Sequence, residues 1–134
     1  RTFQKLPRPV TVLTTHSSWL MASLTMGAGG LLSGAGSVIP DLQVALFEAV
    51  QAKDLAKAQA INDRIYPLAQ AFYSPPFLDM HNRMKECLAM LGRVDKAVMR
   101  PPLMKLSAGE LSRLRAALNQ AGIGRDGAMP LAAE

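Results

Sequence analysis

The chain has 134 residues, 49% hydrophobic and 19% charged, enough apolar content for one modest core and too much for a disordered chain. The formal net charge is +5, but 15 Lys and Arg are scattered among 10 Asp and Glu and aromatics are only 5%, which argues against a nucleic-acid partner. A single cysteine, Cys87, excludes an internal disulfide and a multi-cysteine zinc site and suits a reducing, cytoplasmic compartment.

No Asp, Glu, Lys or Arg occurs between Arg8 and Asp41. A membrane span needs about 20 mostly apolar residues, and the polar Thr14 to Ser18 and the glycines and serines from Gly27 to Ser37 interrupt this one. Burial inside a protein explains the segment better, so no membrane partner is expected. Arg1 to Pro9 is basic but leads into no signal-peptide pattern, and without an initiating Met the chain reads as starting partway through a longer one.

Val10 to Thr14 is β-branched and bounded by Pro9 and a Ser/Thr cluster, which predicts a short buried strand. Ser17 or Ser18 is placed to cap a helix with Trp19, Leu20, Leu24 and Met26 on its apolar side, ending at Gly27. Gly30 to Ser33 reads as a second strand, parallel to the first across a right-handed crossover. From Pro40 the pattern is helical, with Leu42, Ala45, Leu46, Ala49 and Val50 on one face until Lys53-Asp54, where Asp54 caps a second helix.

Ile61, Ile65, Leu68 and Phe72 form the stripe of that helix, in which Pro67 costs a hydrogen bond or a kink. Ser74-Pro75-Pro76 ends it. A third helix carries Leu78, Met84, Cys87, Leu88 and Leu91 up to Gly92, and Pro101-Pro102 marks an extended link. Ser107-Ala-Gly-Glu110 is a capping box, flanked by Leu106 and Leu111 as a hydrophobic staple, for a fourth helix ending at Gly122. Residues from Gly124 onward read as a loose tail.

Two parallel strands leave open edges and lack a second layer, so this layout reads as the end of a larger α/β protein. Its residues carry a resemblance: Val12-Leu-Thr-Thr-His-Ser17; Gly27-Ala-Gly-Gly-Leu-Leu-Ser33 followed by Pro40; helices split at Ala52-Lys-Asp54; Arg83-Met-Lys-Glu-Cys-Leu-Ala-Met-Leu-Gly92; Arg100-Pro-Pro-Leu103; and Leu106-Ser-x-x-Glu110. In this order, from Pro9 to Ile123, the sequence resembles the C-terminal part of the dihydrodipicolinate synthase/N-acetylneuraminate lyase family.

That resemblance implies a fold and a chemistry. Family members are (β/α)8 barrels of about 250 residues with extra C-terminal helices. Residues 1–50 would supply strands seven and eight with their helices, residues 51–123 the helical extension, and residues 124–134 a tail. The isolated chain would be mostly helical.

Family enzymes form a Schiff base between a sixth-strand lysine and the carbonyl of a 2-keto acid. The lysine and the proton-shuttling tyrosine would lie before Arg1, leaving no catalytic residue here and an inactive chain on its own. The partners implied are a small 2-keto acid, the remainder of the barrel and further copies in a homotetramer. No cofactor and no metal is implied.

Thr15, His16, Ser17, Ser18, Ser33 and Gly34 are the candidate substrate-binding residues, because they follow the two strands. In the sugar-acid lyases of the family the positions matching Thr15, Ser17 and Ser18 hold glycine, aspartate and glutamate. Many synthases have Gly-Asp-Asp where this chain has Thr15-His-Ser17. The neutral set here resembles dehydratases of 2-keto-3-deoxy-arabonate, which release water and give 2-oxoglutarate semialdehyde. A pyruvate-dependent aldolase, a dihydrodipicolinate synthase and a non-catalytic helical oligomerisation module are the alternatives.

The residues themselves admit plainer roles. His16 either bonds a substrate hydroxyl or holds the start of a helix through the backbone. Ser33, Gly34 and Gly36 either line the pocket floor or let strands close up. Gly34-Ala-Gly36 is not a dinucleotide fingerprint, since Ile39 stands where the third glycine belongs. His81 reads as structural, and Cys87 as core rather than nucleophile.

Overall fold

The two apolar runs on either side of the first helix pair with each other. In the computed structural model, which describes residues 2–8 and 10–124, β1 (Leu13–Thr14) and β2 (Gly30–Leu31) are parallel, with Leu13 opposite Gly30 and Thr14 opposite Leu31. The pairing extends beyond the strands, since Gly29 N–H donates to Val12 O at 2.9 Å and Leu32 N–H to Thr14 O at 2.8 Å. The strands are shorter than the predicted 10–14 and 30–33, because each has a partner on one edge only and the ladder lapses where that partner turns away. They are also less buried than expected, with Leu13 49% and Leu32 71% exposed.

The described residues fall into two units that part between Asp63 and Arg64. In the first, α1 (Leu20–Thr25) lies between the strands and packs on α2 (Pro40–Gln51). Leu20 and Leu24 are buried as predicted, whereas Trp19 and Met26 stand exposed at either end, because six residues of helix turn only a narrow stripe inward. Neither Ser17 nor Ser18 caps this helix by its side chain; His16 caps the 3-10 turn Ser17–Trp19 that precedes it. On α2, Leu42, Leu46 and Ala49 form the buried face, and Pro40 occupies the first turn, where its missing N–H costs nothing.

The turn after α2 reverses the chain through Lys53, a non-glycine residue at φ 60°. Asp54 N–H reaches back to Ala49 O at 2.9 Å, and Asp54 Oδ1 accepts from Lys57 N–H at 2.9 Å, capping α3 (Leu55–Phe72) as expected. The helix continues through Pro67 to Phe72 without ending there.

In the second unit, Ile65, Leu68 and Phe72 of α3 are buried, as are Met84, Cys87 and Leu91 around α4 (Met80–Met90) and Leu114, Ala117 and Leu118 of α5 (Ala108–Gln120). α4 packs on α5. Leu78, expected on the third helix, precedes it in the 3-10 turn Phe77–Asp79 and is exposed, because the Pro75-Pro76 segment delays the helix. The link over residues 93–106 has neither helix nor strand. It is tied to α4 by Asn82, whose Nδ2 donates to Met104 O at 2.8 Å, and by Lys85, whose Nζ donates to Val98 O at 2.8 Å. The Ser107–Glu110 capping box forms in both directions, with Leu106 buried and Leu111 half-buried beside it. Of the predicted tail, residues 125–134 lie outside the described residues.

One charged side chain organises this unit. Arg83 is 2% exposed, yet every nitrogen of its guanidinium has a partner. Nη1 donates to Phe72 O (3.2 Å), Ser74 O (2.6 Å) and Pro76 O (3.3 Å), and Nη2 to Pro75 O (3.2 Å). Nε and Nη2 both reach Glu110 Oε1, at 3.3 and 3.0 Å. Arg83 thus gathers the carbonyls that follow α3 and fastens them to the first turn of α5. The hydrogen bond from Arg83, with help from Ser107, holds the Glu110 carboxyl below the usual carboxylate range against a smaller opposing effect of burial.

Two outcomes follow for stability. Arg83→Ala removes one partner of a buried pair and strips a cluster of carbonyls, so it costs about 3–5 kcal/mol in urea unfolding at neutral pH; a loss below about 1 kcal/mol would show that water replaces the guanidinium. Because the Glu110 carboxyl is lowered in the folded state, its contribution is complete above the ordinary carboxylate value of about 4.3. It is lost as pH falls through the lower folded value. Glu110→Gln keeps the capping geometry and should flatten the stability profile in that acid window; an unchanged acid slope would exclude Glu110 as its source.

Candidate functional site

Parallel strands present the residues that follow them at one end of the sheet, so the segments after β1 and β2 meet there. Thr15 to Ser18 follow β1, and Leu32 to Gly34 follow β2. Their convergence is direct: Ser17 Oγ and Ser33 Oγ are hydrogen-bonded at 3.0 Å. Ser17 is buried and Ser33 half-buried, so Ser33 is the more accessible residue of the pair.

His16 holds this end together through the backbone. Its Nδ1 accepts from Ser18 N–H at 3.3 Å, which places the ring proton of the neutral form on Nε2. Ser18 is half-buried and is tied to the imidazole by its amide rather than by its hydroxyl. Gly34 is exposed and opens the 3-10 turn Gly34–Ser37.

The strand register decides which side chains share the open face. A side chain on Gly30 would come within 3.0 Å of Leu13 Cδ2, so Leu13 lies over Gly30 on one face of the sheet. Alternation along each strand then brings Thr15 and Leu32 to that face, and Leu13, Thr15 and Leu32 are all exposed. Leu13 and Leu32 were absent from the predicted site. The signal for them lies in the pairing, since they share the side of Thr15, but the apolar run alone does not reveal which face stays open.

The arrangement carries hydroxyls, one imidazole and an apolar wall, with no Asp, Glu, Lys or Arg from Pro9 to Pro40. Such a set recognises neutral polar groups. Among the described residues no cluster of His, Cys, Asp and Glu is placed to hold a metal ion, and no helix is long and apolar enough to cross a membrane. Among the described residues no lysine belongs to β1, β2 or the segments that follow them: Lys5 ends the 3-10 turn Phe3–Lys5, Lys53 and Lys57 lie at the α2–α3 turn and on α3, and Lys85 is on α4. Cys87 is fully buried, and burial with the nearby Glu86 charge pushes its thiol up to about 12, which keeps it un-ionised and in the core. His81 is exposed on α4.

Residues 2–121 match the model of the Dihydrodipicolinate synthetase family. A curated relative, the 4-hydroxy-tetrahydrodipicolinate synthase of Maridesulfovibrio salexigens, is 26% identical over 122 residues, covering 90% of this chain and 40% of the relative. Among solved structures, a monomeric dihydrodipicolinate synthase variant superposes with a TM-score of 0.80 at 21% identity, covering 90% of this chain and 39% of that one. A prophage protein of the dihydrodipicolinic acid synthase family from E. coli K12, solved with pyruvate, gives a TM-score of 0.74 at 26% identity, with 84% of this chain and 37% of that one covered. The chain therefore spans about 40% of the length of the curated relative and less of the prophage protein.

The serine contact is testable by a double-mutant cycle. Ser17→Ala and Ser33→Ala each remove one hydroxyl, and the coupling between them in urea unfolding should be about 0.5–1.5 kcal/mol. Additive effects would mean that the two hydroxyls do not interact in solution.

Proposed function

Since the chain belongs to the Dihydrodipicolinate synthetase family, we propose that it supplies the C-terminal part of a cytoplasmic lyase that works through a Schiff base on a 2-keto acid. On this reading residues 1–50 carry strands seven and eight of a (β/α)8 barrel with their helices, residues 51–123 carry the helical extension, and the assembled enzyme is a homotetramer. The lysine amine that condenses with the keto carbonyl, with loss of water, and the proton-shuttling tyrosine come from the remainder of the barrel. This chain alone is inactive.

Its own residues shape the substrate end of the pocket. The supporting observation is the Ser17–Ser33 pair at the junction of the two strand ends, flanked by Thr15, His16, Ser18 and Gly34 with no Asp, Glu, Lys or Arg among them. Neutral donors and acceptors suit substrate hydroxyls, and Leu32 and Leu13 suit the carbon face beside them. We therefore assign the substrate as a 2-keto-3-deoxy sugar acid and the reaction as dehydration, with 2-keto-3-deoxy-arabonate giving 2-oxoglutarate semialdehyde. The names of relatives support a second reading, since the Maridesulfovibrio salexigens relative is a 4-hydroxy-tetrahydrodipicolinate synthase.

Borohydride reduction of the full-length enzyme with a 2-keto acid should leave a covalent adduct on a lysine outside this chain, and absence of trapping would sink the Schiff-base reading. With 2-keto-3-deoxy-arabonate, a dehydratase keeps every carbon in one product and releases no pyruvate. Pyruvate release would move the assignment to an aldolase, and consumption of pyruvate in a condensation would move it to a synthase.

A further inference from the structure

His16 is the sole titratable residue from Val10 to Ile39, and the structure uses it as a cap. The 3-10 turn Ser17–Trp19 is closed at its start by bonds to this residue: Trp19 N–H donates to His16 O at 2.9 Å, and Ser18 N–H to His16 Nδ1 at 3.3 Å. His16 itself is extended, at φ −76° and ψ 116°, as a capping residue should be. Ser17, next in the chain, is 1% exposed, and its hydroxyl reaches Ser33 to tie the ends of β1 and β2 together.

Ordinary caps are Ser, Thr, Asp and Asn, whose oxygens accept throughout the neutral range. An imidazole differs, because Nδ1 accepts only while the ring is neutral; once the ring is protonated both nitrogens are donors. Nδ1–H and Ser18 N–H would then point at each other, and the ring must leave the cap. Histidine is also the side chain whose ordinary titration falls between about pH 5 and 8, above that of carboxylates and below that of lysine. His16 is half-buried, not sealed in the core. The turn it caps packs on α1, and α1, β1, β2 and the 3-10 turns after the strands bring no other charge to this end. Charges on the neighbouring elements are Asp41 and Glu48 of α2, which packs on α1 and β2, and Lys5 and Arg8 of the segment leading into β1.

We infer that His16 is a positioning residue that acts only when neutral: its imidazole fixes Ser17 through the turn, and protonation releases the turn and takes the Ser17–Ser33 pair out of the strand-end site. For its consequence the inference rests on the proposed function, in which the grip on the hydroxyl end of the substrate weakens in acid while the grip on the keto end does not. The device itself belongs to the turn.

His16→Asn is the discriminating variant, because Asn Oδ1 hangs from Cγ as Nδ1 does and accepts from the same amide without a protonation step. In the full-length enzyme, amide exchange across residues 17–19 is compared between wild type and His16→Asn at each pH from about 5 to 8. Protection should match at the neutral end and fall about fivefold behind in wild type at the acid end, the worth of one cap. A ratio constant over that range overturns the inference. His81→Asn, on α4, should keep the wild-type response, and losing it there would assign the response to His81 instead. With 2-keto-3-deoxy-arabonate, the wild-type KM should rise about fivefold in acid with kcat little changed, KM of His16→Asn should stay level, and His16→Ala should hold the raised value throughout. If asparagine fails as alanine does, the imidazole is a substrate contact and the positioning role is overturned. Borohydride trapping with pyruvate, which has no hydroxyl to bring to this end, should not differ between wild type and His16→Asn; a difference would place His16 at the keto end and overturn the inference. If the sugar acid is not turned over while the exchange result holds, the substrate assignment falls and the device stands.

Discussion

The Arg83 guanidinium is the contact on which the second unit depends. A buried cation is tolerated only where its donors are met, and here the carbonyls of Phe72, Ser74, Pro75 and Pro76 and the Glu110 carboxylate meet them. Those carbonyls lie at and just beyond the end of α3, where the helix has no further N–H groups to offer them. Glu110 serves twice, accepting from Arg83 through Oε1 and closing the cap of α5 through Oε2. The position of α5 is therefore set by polar contacts at its first turn as well as by the apolar packing of Leu114 and Leu118.

A similar economy appears at the end of α5. Arg64 Nε and Nη2 both donate to Ala121 O, at 3.0 and 2.9 Å, and the chain then turns through Gly122 at φ 67°. A side chain on Gly122 would be strained by that φ and would approach Arg64 Nη2 within 3.3 Å. Two arginines thus close two helix termini, and both do so mainly through main-chain carbonyls.

What was legible in the sequence was local. The caps at Asp54 and Ser107, the helix ends at Gly27, Gly92 and Gly122, and the buried face of Leu42, Leu46 and Ala49 all depend on residues within a turn or two of one another. Arg83 was not legible as a core residue, since charge usually marks an exposed position. The hint was its place beside Met84 and one turn before Cys87, on the buried side of α4. The strand runs misled for the complementary reason. Apolar content predicts burial, but burial of Leu13 and Leu32 requires a neighbour that the described residues do not provide. Of the candidate site, the placement of Ser17 and Ser33 after parallel strands was legible but their hydrogen bond was not, and His16 bonds the backbone at the start of the 3-10 turn, one of the two roles its position suggested.

On the proposed function, the same constraints bear on how the strand ends would meet a substrate. A hydroxyl can donate once and accept twice, so Ser33 keeps hydrogen-bonding capacity for a third group beyond its bond to Ser17. Ser17 is buried and anchors the pair while Ser33 is only half-buried, so on the proposed function an incoming hydroxyl would reach Ser33 rather than Ser17. A carboxylate at Ser17 or Ser18 would instead fix a charge there and demand donors from the substrate. The neutral pair imposes no charge of its own, and on the proposed function the selectivity of this end would rest on the spacing of hydroxyls against the wall of Leu13 and Leu32.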